Sequence, residues 1–415
     1  MAEELPALLR RLALPIYLPT ALYATGAAAI VPVVPLIGLD LGLSVPQVAL
    51  LGTAVGLLAV IGPLPTGQLV TRIGERAALM VGGLISIAAI VGCLVAAWPH
   101  GAGGAPRWAP ALFCASMLVM SIGDLTWDLG RQTYIADEIP VHLRARAMTL
   151  FGGTMRVGRI LGPLVGAGAI ILGGAAAAFF VHLVAAIGSL VLIIFFVPPR
   201  LVPAPALGGS EQLEVSTRGS ILRPLLLVGV AVLVLTVART NRDLLLPLLG
   251  HEFGHAEVVV SLVFAIAAAV ELAFIVPAGI LMDRFGRAAV LVPCLAMMGV
   301  AYLLAPLAAT LPGFVAISLV FAVGNGFGAG INKTLGADLT PTRNRAGWLG
   351  LWNSFTNAGA LVGPALIAIA AGAATVVSAS FATGWLSLAG AGWAAWWMPR
   401  FVPGRSREEA DQPLP

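Results

Sequence analysis

Charge is what this chain has least of. Asp, Glu, Lys and Arg make up 10% of its 415 residues, against about 25% in soluble domains, so there are too few charges to clothe a water-facing globule of 42.5 kDa. Cysteine is scarce as well. Cys93, Cys114 and Cys294 each sit inside an apolar run, which leaves neither a disulfide framework nor a metal-ligand spacing. No GxxxxGK[ST] loop occurs, so nothing points to nucleotide-driven work, and energy should come from a gradient. The net charge of +4 and pI near 9.3 do not argue for nucleic acid, because the arginines form short clusters between apolar runs, with no basic face and no interleaved aromatics. No motif asks for a cofactor or a metal.

Apolar residues are abundant instead, at 59%, so lipid must cover what charge cannot. A membrane span needs about 20 apolar residues, and twelve segments qualify: roughly 12–37, 47–71, 76–98, 109–136, 146–172, 175–197, 221–249, 256–282, 288–309, 312–337, 346–371 and 376–398. The first follows Arg10 and Arg11 and is far longer than the ~7–15 residues of a cleavable signal core, so it reads as a retained span. With a cytoplasmic N-terminus, sixteen arginines from Arg10 to Arg407 fall on the cytoplasmic side and only Arg107 outside. The positive-inside rule then predicts a multi-pass protein of the plasma (inner) membrane with both termini cytoplasmic.

The chain repeats itself. Pro35-Leu36-Ile37-Gly38 falls on Pro247-Leu248-Leu249-Gly250, and Gly67, Arg72 and Gly74 fall on Gly279, Arg284 and Gly286, at an offset of 212. Further along the offset is 201, matching Gly123 to Gly324, Ala136-Asp137 to Ala337-Asp338 and Gly162-Pro163 to Gly363-Pro364. The external loop Pro99 to Trp108 absorbs the difference. The division is a six-helix half over 1–197, a Pro- and Gly-rich cytoplasmic linker over 198–220, a second six-helix half over 221–399 and a tail over 400–415. Parallel six-span repeats with a site near mid-membrane are a transporter architecture.

Gly279-Ile-Leu-Met-Asp283-Arg284-Phe-Gly286-Arg287, in the turn between spans 8 and 9, resembles the signature loop of the major facilitator superfamily. That resemblance implies an all-α integral membrane fold of twelve helices in two parallel six-helix repeats, a central cavity lined by spans 1, 4, 7 and 10, and a cytoplasmic gate held by this loop. The first-half copy keeps Gly67, Arg72, Gly74 and Arg76 but has Thr71 where the family has Asp. Gly158, Gly162, Pro163 and Gly166 in span 5 look like the family's antiporter motif, where glycines let helices approach closely and proline bends the span. Gly26, Pro32 and Pro35 in span 1 are similar to a motif of twelve-span drug/proton exporters, whereas the exporters' Arg-containing span-4 motif is absent from Leu118 to Asp124.

Ten charges lie within the spans: Asp124, Asp128, Arg131, Arg156, Arg159, Arg239, Arg242, Asp243, Glu271 and Lys333. Each costs about 2.5–3.5 kcal/mol at mid-span on insertion scales, so such groups face partners or water-filled space. Asp124, Asp128 and Arg131 recur at i, i+4, i+7 and share one stripe. A hairpin of spans 4 and 5 pairs Asp128 with Arg156 and Asp124 with Arg159 by depth. Arg239 and Asp243 pair along span 7, leaving Arg242 free; Arg131 and Lys333 lie near span ends and can snorkel. Glu271 has no basic residue within ten positions on its own helix, which suits reversible protonation, with Asp124 as the reserve candidate and Arg239 as an alternating partner.

His251-Glu252-Phe253-Gly254-His255 matches the HExxH pattern of zinc proteases. The offset of 212 aligns it with Leu39 to Leu43, an external turn interrupted by glycine, so these are loop histidines. The expected activity is secondary transport of a small molecule, proton-coupled export by a monomer in the lipid bilayer. The alternative is uptake or exchange of an organic anion, since six basic against four acidic intramembrane residues leave two positive charges unmatched.

Overall fold

The computed structural model describes residues 12–98, 105–138, 141–198, 218–340 and 345–402. The connection over 199–217, most of the loop before Trp108 and the tail from 403 lie outside them. Every regular element among the described residues is helical.

Among the described residues, nine helices are long and apolar enough to cross a membrane. Span 2 adds a bent pair, Val45–Ile61 and Pro63–Ile73, angled by 53°. Span 9 is the shorter Ala288–Leu303, extended by a 3-10 turn over Ala305–Ala309, and span 12 is Val376–Phe401, long but diluted by Ser, Thr and Gly. Twelve segments therefore stand where twelve were expected. The remaining spans are Ala13–Ile30 (span 1, continued after a break by Val34–Asp40), Glu75–Ala97 (3), Ala109–Glu138 (4), Val141–Gly173 (5), Ala177–Phe196 (6), Arg218–Glu252 (7), Glu257–Phe285 (8), Leu311–Phe327 with Ile331–Leu339 (10) and Arg345–Asn357 with Gly359–Ala373 (11).

The breaks have local causes. Pro32 and Pro35 interrupt span 1, and Pro63 restarts span 2 after Gly62. Span 10 unwinds between Phe327 and Ile331, where Gly330 takes φ +82, a conformation that costs glycine little. Large apolar side chains point outward, Leu172 at 90% and Phe195 at 77% exposure among them, as a surface solvated by acyl chains requires.

Two compact units result. One gathers the described parts of Met1–Ser44, Leu57–Gly208 and Ala256–Ala265; the other gathers those of Val45–Gly56, Gly209–His255 and Ile266–Pro415. In the first, span 5 lies on span 1 at backbone distance: a Cβ on Gly158 would sit 2.5 Å from Ala24 Cβ, and one on Gly162 would sit 2.5 Å from Thr25 O. The second repeats the arrangement with span 11 on span 7, where a Cβ on Gly359 would come within 2.5 Å of Leu233 O and one on Gly363 within 2.5 Å of Asn241 Oδ1. Small residues at these positions let helices approach closely enough to pack in lipid, where the hydrophobic effect does not drive association.

Candidate functional site

In the second unit, span 7 brings Arg242 between two carboxylates. Its guanidinium donates to Asp243 at 2.8 Å and to Glu271 of span 8 at 3.3 Å. The side chains of Arg242 and Glu271 are 15% and 21% exposed, and that of Asp243 is 46% exposed. Arg242, which helix spacing leaves free, is thus the bridging group of this cluster. Adjacent residues on a helix point about 100° apart, but an arginine is long enough to fold sideways, a reach that counting at i+4 does not capture. Arg239 donates from Nε to Asn325 Oδ1 at 2.6 Å and from Nη2 to Asn325 O at 3.4 Å. It therefore lies beside the break in span 10, and a Cβ on Gly328 would come within 2.7 Å of its Nη2.

In the first unit, Tyr23 of span 1 donates its hydroxyl to Asp124 of span 4, and Ser86 of span 3 adds a second donor at 3.3 Å. Asp128 pairs with Arg131 on its own helix. The expected pairs Asp128–Arg156 and Asp124–Arg159 do not form: Arg156 and Arg159 are exposed and make no ion pair among the described residues. Equal depth does not fix rotation about the helix axis, and the Gly158 and Gly162 contacts with span 1 set that rotation. Arg131 does not snorkel either. It is 2% exposed, its guanidinium 5.8 Å from the ring centres of Tyr23 and Trp127 and 5.5 Å from that of Phe151, a distance at which cations are attracted to aromatic faces. Lys333 is exposed.

The signature loop ends in the left-handed region, with Gly286 at φ +87 and its repeat partner Gly74 at φ +81. Arg287 donates to Asp338 at 2.9 Å, to Met282 O at 2.9 Å and to Asp283 at 3.4 Å. Arg284 lies 5.5 Å from the Phe285 ring centre. In the first copy, Arg76 donates to Ile194 O at 2.9 Å, while the Thr71 hydroxyl donates to Gln68 O at 2.8 Å. Gly67 and Gly279 meet open space. Asp338, Tyr23, Ser86 and Asn325 are the residues of these clusters missed from sequence; Asp338 and Asn325 had a signal, their repeat matches to Asp137 and Asp124. His255 bonds Ala308 O at 2.6 Å just after the positive-φ Gly254, and no cluster of three metal-ligating side chains exists among the described residues.

Helical repeats of this kind, with charge clusters held inside each unit, are an architecture that transporters use. The family profile described as Major Facilitator Superfamily matches residues 16–241 and 228–415, and the chain belongs to that superfamily. No curated protein matches the sequence. Among solved structures, a POT family transporter in complex with 5-aminolevulinic acid aligns with a TM-score of 0.75 at 12% identity, over 94% of this chain and 96% of that one. A D-xylose-proton symporter aligns at 0.73 and 17% identity, over 97% and 99%. A peptide transporter POT in complex with sulfate aligns at 0.73 and 13%, over 95% and 96%. At these identities the likeness is one of fold.

Proposed function

We propose that the protein exports a small molecule across the plasma membrane in exchange for protons, acting as a monomer with both termini cytoplasmic and with 1–197 and 221–399 as its two halves. The observation that carries proton coupling is the sharing of one guanidinium, Arg242, between Asp243 and Glu271. Protonation of Glu271 removes its claim on Arg242, which then belongs to Asp243 alone. Deprotonation restores the link between spans 7 and 8. A proton thus changes which helices are tied together, as gradient coupling requires. Asp124 is a second protonatable position, held by neutral hydroxyls, so that taking a proton there breaks no ion pair. Export draws support from the close packing of Gly158 and Gly162 on span 1, the stretch that resembles the antiporter motif. The loop around Arg287 and Asp338 serves as the cytoplasmic gate.

A second reading, uptake or exchange of an organic anion, is favoured by the exposed Arg156 and Arg159 and by the proton symporter among the similar folds. Flux into proteoliposomes separates the two. Export predicts that accumulation in inside-out vesicles follows an imposed proton gradient directed outward from the lumen. Accumulation in the same direction as proton flow would leave the uptake reading.

A further inference from the structure

The apolar stretch Leu150–Gly173 of span 5 carries two charges, Arg156 and Arg159, that none of the cluster chemistry above uses. Arg159 lies nine residues beyond Leu150 in the apolar stretch Leu150–Gly173, about 14 Å into a segment about 36 Å long at 1.5 Å per residue. A guanidinium at that depth without a carboxylate partner costs several kcal/mol unless it meets water or a ligand.

Three faces of the helix can be assigned at 100° per residue. Gly158, Gly162 and Gly166 pack on Ala24, Thr25, Ala28 and Ala29 of span 1. Val157, Leu161, Leu164 and Val165, exposed by 43–52%, make the lipid-facing stripe. Arg156 and Arg159 fall about 90° from the glycine face and about 150° from the apolar stripe. They are exposed, yet turned away from lipid, so the space they face is aqueous. Gly152 lies one turn earlier on the same face and has open space around it.

We propose that Arg156 and Arg159 form a recognition site for an oxyanion, a carboxylate or phosphate group carried by the transported solute. Two guanidiniums three residues apart offer paired donors to such a group, and the solute's charge replaces the counter-ion that the helix lacks. The inference rests on the chain being a transporter and is independent of the direction of transport.

The test uses full-length protein in proteoliposomes with Cys93, Cys114 and Cys294 replaced by alanine. Gly152→Cys should react with an anionic methanethiosulfonate faster than with a cationic one by about tenfold more than a free thiol does, the size of effect two nearby unit charges produce at a water-facing site. Arg156→Gln/Arg159→Gln should abolish that preference, and Arg156→Lys/Arg159→Lys should keep it. Gly168→Cys, open and on the lipid-facing stripe, should resist both reagents. Among succinate, citrate and inorganic phosphate, at least one should slow the reaction at Gly152→Cys, whereas 1,4-butanediol should not. An unreactive Gly152→Cys, a preference for the cationic reagent, an anion preference that survives the glutamine pair, or no protection by any of the three anions would each overturn the site. None of these readouts needs proton coupling, so a failure here is distinguishable from a failure of that mechanism.

Discussion

The two halves share a scaffold and differ in where they keep their charge. At the offset of 201, Asp124 falls on Asn325; at 212, Tyr23 falls on Leu235 and Ala27 on Arg239. In the first half a carboxylate is held by a tyrosine hydroxyl from span 1. In the second, an amide stands at the equivalent place and is held by an arginine from span 7. The second half keeps its carboxylates elsewhere, on spans 7 and 8 around Arg242. The glycine contacts that pack spans 5 on 1 and 11 on 7 are common to both halves. Packing is thus what the repeat preserves, and the polar interior is what each half is at liberty to change.

The shared packing is where the largest effect is expected. Gly162→Leu and Gly363→Leu should each cost more than about 3 kcal/mol, because the clash is with backbone or with a buried amide that cannot move aside. Yield of monodisperse protein in detergent checks it, and loss in one half only would break the equivalence. Smaller effects come from exchanging the polar centres. Asn325→Asp places a carboxylate against Arg239 and should raise thermal stability, by roughly 1–2 kcal/mol for a charge-assisted bond. Asp124→Asn should cost about 1 kcal/mol or less, because the amide oxygen still accepts from Tyr23 and Ser86. Melting curves of the two single variants and the double would show whether the halves respond independently. At the signature loop, Arg287→Ala should cost less than about 1 kcal/mol, since Asp283 and Asp338 are partly exposed, and Arg287→Asp with Asp338→Arg should recover most of it.

Span number and repeat were legible in the sequence because both rest on backbone-level demands: about 20 apolar residues per span, and glycine wherever helices touch. Gly158, Gly162 and Gly363 could be named for that reason, and Gly74 and Gly286 because a turn at positive φ asks for glycine. The partners of the charges were not legible. Depth along a helix can be counted, but rotation about its axis and the reach of an arginine cannot, so Asp128 was matched to Arg156 when Arg131 takes it, and Arg242 was left free when it bridges two acids. Tyr23 and Ser86 carried no signal, since a tyrosine and a serine inside apolar helices are unremarkable until a carboxylate is placed between them.

The central claim is that the proton acts through Glu271 and its share of Arg242. Glu271→Gln, reconstituted in proteoliposomes, removes the titratable charge and keeps the shape. The account predicts a folded protein that loses proton-driven accumulation of solute while still exchanging solute across the membrane without a gradient. Gradient-driven accumulation at the parent's rate, with the parent's pH dependence, would contradict it and move the coupling to Asp124.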